Sequence, residues 1–388
     1  MRRLSLIGST GSIGRNTLDV AGRIPQNIKV VALASNSDFE GIVGQARRFH
    51  PLLVSLFNEE SAARAEEMLV GTGITVLSGL DGILEAATLR EADIVVSSAV
   101  GAAGIMPTFA AVSAGKVVAL ANKEALVAAG AAITMEAERH GARLLPVDSE
   151  HSAIFQVLLG QDRKGVRKLI LTASGGPFFG KDSRFLDGVT PEMALDHPRW
   201  KMGPKVTVDS ATMMNKGFEI IEASWLFGLN GESIDTLIHP QSVVHSMVEF
   251  VDGSTLAQMG ITDMRIPISF ALSYPDRMPL PFKSLDLAAV RNLEFFRPDA
   301  QQFPCLKLAY DALTAGGGVP AAMNAANEVA VESFLDGKLP FRKIQVVVRK
   351  VMDQTPPADE SKLTEILHCD RWARKAARSI IRELKFKP

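Results

Sequence analysis

Cysteine is nearly absent from this 388-residue chain, which has only Cys305 and Cys369. Two cysteines cannot build a disulfide framework, and neither has a Cys or His spaced as a zinc ligand. A disulfide-stapled scaffold and a zinc module are thereby excluded, and the scarcity fits a reducing compartment. The chain also lacks any run of roughly 18 uninterrupted apolar residues, the length a membrane-spanning helix needs. Neither sign of charge is in excess: 42 Lys and Arg stand against 43 Asp and Glu, a formal net charge of −1. Neither nucleic acid nor an anionic membrane would find an electrostatic handle on it. No internal repeat and no low-complexity tract is visible. The first residues enter a strand pattern at once, so no signal peptide is expected and a cytoplasmic enzyme is the default.

What is present is ordinary globular material, 47% hydrophobic and 22% charged, with enough length for two or three domains. Residues 1–148 alternate short apolar runs with helical patterns. Strands are expected at 4–8, 30–35, 52–57, 75–77, 94–99, 117–122 and 144–148. They are nearly continuous in Val, Ile, Leu and Ala, as strands of a parallel sheet covered on both faces must be. A doubly wound α/β domain follows.

The first strand runs into Gly8-Ser-Thr-Gly11-Ser-Ile-Gly14 and then an amphipathic helix. Glycines there permit a tight turn and close approach of a pyrophosphate to the helix N-terminus. The spacing G-x-x-G-x-x-G is common among NADP enzymes. Ser35-Asn36-Ser37, then Asp38, close the second strand. No carboxylate at the strand end claims a ribose 2′-hydroxyl, and no Arg or Lys there claims a 2′-phosphate, so cofactor preference stays open at this level. Asn122-Lys123-Glu124 ends another strand at the edge where open α/β sheets bind ligands. Its charged pair reads equally well as the start of the next helix.

Pro146-Val-Asp148-Ser149-Glu150-His151 ends the last of these strands and leads into a helix at 152–159. Asp148 and Glu150 can converge on one point, where two ionised carboxylates ~4 Å apart repel by roughly 1–4 kcal/mol. Such a pair binds a cation, raises one pKa, or is merely capping and surface charge. All-oxygen ligation would suit Mg²⁺ or Mn²⁺, with Glu219 as a candidate third carboxylate. His151 reads as a packing or capping residue. The strand at 166–172 ends in Ser174-Gly175-Gly176, a turn that offers a hydroxyl and bare N–H groups to a phosphate. Strands at 236–237 and 243–251 follow, with Asp252-Gly253 turning into 254–259. His245 reads as packing or as a substrate contact.

Residues 197–228, HPRWKMGPKVTVDSATMMNKGFEIIEASWLFG, organise the rest. An N-cap is expected at Asp209–Ser210. At about 100° per residue, Met214, Phe218, Ile221 and Trp225 share one side. Thr212, Asn215, Lys216, Glu219 and Glu222 share another. This is an anion-binding surface at a helix N-terminus, or else an amphipathic helix with a solvated face. Beyond the Pro-rich stretch 275–304 the periodicity is helical, at 305–315, 319–336, 342–352 and 363–384, and a C-terminal bundle is expected. Within it, Asn324-Ala-Ala-Asn327-Glu328 reads as structural support, or as a contact to a site.

GSTGSIG at 8–14, ANKE at 121–124, PVDSEH at 146–151, TASGGPF at 172–178, the run 197–223 and MGITDMRIPI at 259–268 occur in this order. With these motifs the chain closely resembles the 1-deoxy-D-xylulose-5-phosphate reductoisomerase family of the non-mevalonate isoprenoid pathway, over essentially its whole length. The resemblance implies NADPH, a divalent metal (Mg²⁺ or Mn²⁺, Co²⁺ also), a sugar phosphate substrate and a homodimer. It implies that Thr10, Gly11, Ser12 and Ile13 hold the pyrophosphate and that Ser35, Asn36 and Ser37 meet the adenosine end. Asn122, Glu124 and Gly203 complete the nucleotide contacts. Asp148, Glu150 and Glu219 match metal ligands. Lys123, Ser149, Ser174, His197, Ser210, Asn215, Lys216 and His245 match sugar-phosphate positions, and Trp200 and Met202 a flap near 197–206.

The expected division is a Rossmann-like nucleotide domain at 1–148 and a catalytic α+β domain at 149–283. A linker at 284–303 and a helical domain at 304–388 follow. Two departures from the family pattern stand out. Asn36-Ser37-Asp38 replaces a frequent Gly-Lys-Asn-like segment, and Thr262 replaces a frequent Pro. Two rival readings remain: an NADP-linked dehydrogenase of a hydroxy acid or semialdehyde, which needs no carboxylate metal triad, and a non-catalytic nucleotide sensor, which needs no turnover at all.

Overall fold

The structure, a computed structural model, describes residues 1–182, 184–200 and 202–384. In chain order it opens with β1 (Arg2–Ile7), α1 (Ser12–Arg23), β2 (Ile28–Ser35), α2 (Phe39–Phe49), β3 (Leu53–Leu56) and α3 (Glu59–Leu69). Next come β4 (Thr75–Ser78), α4 (Gly79–Thr88), β5 (Ile94–Ser97), α5 (Ile105–Ser113), β6 (Val117–Leu120), α6 (Lys123–His140) and β7 (Arg143–Pro146). The middle holds α7 (Ser149–Val157), β8 (Val166–Ala173), α8 (Pro191–Leu195), α9 (Pro204–Ala211) and α10 (Met214–Phe227). Then follow β9 (Ile234–Ile238), β10 (Val244–Phe250), β11 (Thr255–Met259) and α11 (Arg265–Ser273). The chain finishes with α12 (Leu287–Val290), α13 (Pro304–Ala315), α14 (Val319–Leu335), α15 (Ile344–Met352) and α16 (Leu363–Glu383).

By packing, the chain forms two compact units. One comprises Met1–Ala125, Ile133–Ser152 and Asp263–Phe282; the other comprises Leu126–Ala132, Ala153–Thr262 and Lys283 onward. The first unit is the expected doubly wound sheet, with seven strands in the order β4-β3-β2-β1-β5-β6-β7. The pairings are all parallel. β2, β3 and β5 are buried almost throughout, because helices cover both faces and a polar side chain on either face would lose its water. The strand order reverses beside β1, so the loops after β1 and β5 open a crevice at the carboxyl edge of the sheet. Asp263–Phe282 returns to this unit, where Arg265 on α11 reaches Asp19 on α1 at 3.0 Å.

The second unit contains a mixed sheet of order β11-β10-β8-β9. β10 runs antiparallel to β8 and β11, and β9 runs parallel to β8. The Asp252-Gly253 turn forms as expected, with Gly253 at φ +86°. α10 lies on this sheet through Ile220 and Ala223, while Met214, Phe218 and Ile221 enter a core shared with α13, α14, α15 and α16. Burying a side chain such as Phe218 contributes about 1.5–3 kcal/mol. The C-terminal helices form as the periodicity predicts. Within the Pro-rich stretch, Phe296 bridges back to Ile238 in both directions. Cys305 is fully buried, and burial pushes its thiol up to about 12, so it is inert at neutral pH.

One local expectation is overturned. Asp209 and Ser210 do not cap a helix: they form the last turn of α9, which begins after Gly203 with Pro204 at its first position. The break falls three residues later, at Met213, which adopts a left-handed conformation (φ +58°) before α10 starts. A non-glycine residue there costs of order 1 kcal/mol and persists because Met213 is buried in the sheet-side core. The helix that follows is α10, and Asn215 and Lys216 lie in its first turn.

Candidate active site

The glycine loop is built for close approach. A side chain at Gly14 would put its Cβ 2.3 Å from the Gly8 carbonyl oxygen and 2.5 Å from that of Ser9, so helix α1 can sit this near β1 only with glycine there. Gly11 is the N-cap of α1 and supplies no side-chain acceptor, which leaves the first-turn N–H groups for a ligand. Thr10 and Ser35 join the loop to the end of β2 through a 2.6 Å hydroxyl pair. Asn36 and Ser37 are exposed beside it.

At the far side of the same sheet edge, Asn122 caps α6 by accepting from Ala125 N at 2.9 Å. Its amide donates to the carbonyls of Ala99 (2.6 Å) and Gly101 (3.0 Å). The side chain is therefore engaged in holding the loop after β5, and what it can offer a nucleotide is backbone. Glu124 is buried beside it, accepting from Asn122 at 3.2 Å. Lys123 pairs with Asp148 at 2.8 Å. Burial of Asp148 opposes its charge, but the Lys123 ammonium, with His151 and the Glu150 hydrogen bond, holds the carboxyl far below the usual carboxylate range. Glu150 accepts from Ser149. His151 packs with no exposure, 3.9 Å from Asp148.

In the second unit, Gly175 and Gly176 take positive φ (+86° and +67°) after β8, and a Cβ on Gly176 would stand 2.7 Å from the Ser210 carbonyl oxygen. The Ser-Gly-Gly turn is thus seated against the last turn of α9. His197 fixes the hydroxyl. Its Nδ1 accepts from the backbone N–H of Trp200 (2.9 Å) and of Arg199 (3.2 Å), so the neutral ring carries its proton on Nε2, which lies 3.1 Å from Ser174 Oγ. Gly176 N–H also donates to Ser174, at 3.3 Å. With both lone pairs of Ser174 accepting, its O–H is left to donate outward. Burial lowers the His197 pKa and favours this neutral form. Glu219 on α10 is buried and accepts from Lys216 and from Asn215. His245 is buried on β10, its Nε2 3.4 Å from where a Gly260 side chain would begin. Trp200 and Met202 are half-buried, Gly203 is exposed, and Lys201 of the expected flap lies outside the described residues.

Polar clusters of this kind occur in many enzymes; comparison with known proteins decides among them. The model of 1-deoxy-D-xylulose 5-phosphate reductoisomerase matches residues 4–130, and models of the C-terminal domains of that enzyme match 144–227 and 259–376. The chain belongs to the 1-deoxy-D-xylulose 5-phosphate reductoisomerase family. The reductoisomerase of Pelotomaculum thermopropionicum is 53% identical over 99% of this chain and all of its own length. That of Chlorobaculum tepidum is 49% identical over 98% and 100%. A crystal structure of DOX-P reductoisomerase with NADPH, fosmidomycin and magnesium superposes with a TM-score of 0.96, at 40% identity and full coverage of both chains. The Zymomonas mobilis enzyme with NADPH gives 0.92 at 43% identity, covering 98% of this chain and 99% of that one.

Two residues have neighbours that sequence reasoning does not give them. The sequence makes Asp209 a candidate cap, yet it is buried, paired with Lys205 at 2.8 Å and accepting from Asn327 of α14 at 2.7 Å. Arg15, directly after Gly14, comes within 3.8 Å of Asp38.

Proposed function

We propose that the chain converts 1-deoxy-D-xylulose 5-phosphate to 2-C-methyl-D-erythritol 4-phosphate, with NADPH and a divalent cation, Mg²⁺ or Mn²⁺ and Co²⁺ as a further candidate. The observation that carries this is the Ser174 turn: a hydroxyl with both lone pairs occupied, beside Ser210, on a chain that matches reductoisomerases along its whole length. In this reading residues 1–148 bind the nucleotide and 149–283 carry out the chemistry. Residues 284–303 link these to the helical domain at 304–388.

Asp148, Glu150 and Glu219 would hold the cation. The donor set fits a hard divalent ion: all three offer carboxylate oxygens, and Asp148 and Glu219 are each matched by an ammonium, Lys123 and Lys216, as ionised carboxylates would be. When bound, the metal supplies Lewis acidity towards the carbonyl and hydroxyl oxygens of the sugar. Lys123 adds positive charge beside Asp148 and is placed to hold or move a proton. Ser149 and His245 complete the sugar contacts. Ser174, Ser210, Asn215 and Lys216 anchor the phosphate, so that binding energy remote from the reacting carbons orients them. His197 aims the Ser174 hydroxyl. Trp200 and Met202 close over the sugar and keep water from the aldehyde that NADPH reduces. Thr10, Gly11, Ser12 and Ile13 seat the pyrophosphate, Ser35–Ser37 the adenosine ribose, and Asn122, Glu124 and Gly203 the remainder.

The working form is a homodimer in the cytoplasm. β11, at the edge of the mixed sheet with Leu256 43% exposed, offers a second copy an unpaired strand. Among the described residues no helix is long and apolar enough to cross a membrane. Following NADPH absorbance with the sugar phosphate, with and without Mg²⁺ and then with EDTA, tests the activity. Oxidation that needs both substrate and metal is expected; oxidation that persists in EDTA would favour an ordinary dehydrogenase.

A further inference from the structure

The end of β2 carries no cation of its own, since it reads Ser35-Asn36-Ser37 followed by Asp38. In Rossmann-type domains the adenosine 2′-position lies at that strand end, and a nearby Arg accommodates a 2′-phosphate. The fold delivers one from another element. Arg15, in the first turn of α1, reaches 3.8 Å from Asp38 Oδ2 and stays 70% exposed. Asp38 is itself fixed, because its Oδ1 caps α2 by accepting from Gly41 N at 2.9 Å. Its second oxygen thus holds the guanidinium beside the residue that directly follows Ser35, Asn36 and Ser37. The Thr10–Ser35 hydroxyl pair makes that stretch continuous with the glycine loop. Asp19, one turn further along α1, already serves Arg23 and Arg265.

We infer that Arg15 recognises the 2′-phosphate of NADPH, so that the cation for NADP recognition comes from α1 and not from the β2–α2 loop. This rests on the nucleotide reading proposed above. An exposed pair at 3.8 Å holds weakly, whereas a phosphate dianion can take two parallel N–H donors from a guanidinium. The phosphate therefore draws Arg15 away from Asp38, whose weak pull only keeps the guanidinium nearby in the free protein. Asn36, Ser37 and nearby backbone amides add neutral donors.

The test titrates the full chain with 2′,5′-ADP and 5′-AMP, which differ only in the 2′-phosphate. The proteins compared are the wild type, Arg15→Ala, Arg15→Lys and Asp38→Asn. The wild type should prefer 2′,5′-ADP. Arg15→Ala should cut that preference about tenfold, roughly one charge-assisted hydrogen-bonding group at a solvated site, and Arg15→Lys should recover part of it. Asp38→Asn, which keeps a capping side chain, should retain the preference. An undiminished preference in Arg15→Ala overturns the inference while the NADPH reading stands. A wild type that does not distinguish the two ligands overturns the NADPH reading, and this inference with it.

Discussion

His197 shows how much one ring can decide. Its Nδ1 is committed to two backbone N–H donors and its Nε2–H to Ser174, an arrangement that only the neutral imidazole can make. Burial depresses its pKa below the ordinary value of about 6.5. The unfolded chain therefore binds this proton more readily. The contribution to stability is complete above about pH 6.5 and is lost as pH falls from there through the lower folded value. KM for the sugar phosphate should rise over the same window, beyond the rise due to the phosphate's own titration. Comparing KM–pH profiles checks this: His197→Gln keeps a donor near Ser174 but cannot titrate, and its profile should follow the phosphate alone.

Lys216 and Glu219 pose a different problem, because both are nearly unexposed and each neutralises the other. Deleting one charge strands its partner, at a cost of about 3–5 kcal/mol. Glu219→Gln should lose metal-dependent turnover and lower the denaturation midpoint, while NADPH titration still shows binding. Adding Lys216→Met should restore much of the stability and none of the turnover. Stability and catalysis separate in that pair of variants, and recovered turnover in the double variant would remove Glu219 from the metal site.

At the scale of elements, the helices fix the position of the loops that the proposed function gives to the ligands. α1 approaches β1 only because position 14 lacks a side chain, and Gly14→Ala should weaken NADPH binding by more than tenfold in direct titration, since a Cβ at 2.3 Å from a backbone oxygen forces the helix away. α9 is tied to α14 by the Asp209–Asn327 hydrogen bond, buried at both ends. Asn327→Leu leaves one Asp209 oxygen without that donor and should cost about 1–3 kcal/mol. Because Ser210 shares the turn, KM for the sugar phosphate should rise more than kcat falls. A stability loss with KM unmoved would make Asn327 purely structural. The Asn-Ala-Ala-Asn-Glu segment thereby acquires a reason: it connects the C-terminal helices to the turn that carries Ser210.

For the whole molecule, NADPH present at a hundredfold excess over its Kd should stabilise the folded chain by about 2.7 kcal/mol, read as a higher thermal midpoint. NADH at the same concentration should do less. The assembled protein should run in light scattering at twice the 41.7 kDa chain mass, and a charge placed at Leu256 should shift it towards the monomer.

The sequence by itself determined the element types, the parallel sheet, the glycine loop, the hairpin at Asp252–Gly253 and the family. The elements depend on local composition and periodicity, since a strand covered on both faces must be apolar throughout and a tight turn needs glycine at its close approaches, whereas the family rests on the resemblance of whole motifs. Only the tertiary structure decided the rest. It moved the helix start from Ser210 to Met214, because a buried Met213 is held left-handed by its packing and not by any propensity of Met. It brought Arg15 to Asp38 and Asp209 to Asn327, positions 23 and 118 residues apart in the chain. It turned Ser174 into a directed donor through a histidine 23 residues away. Charges and hydrogen bonds act through a few ångströms of space, and periodicity along a chain records which face a residue occupies, not which partner waits there.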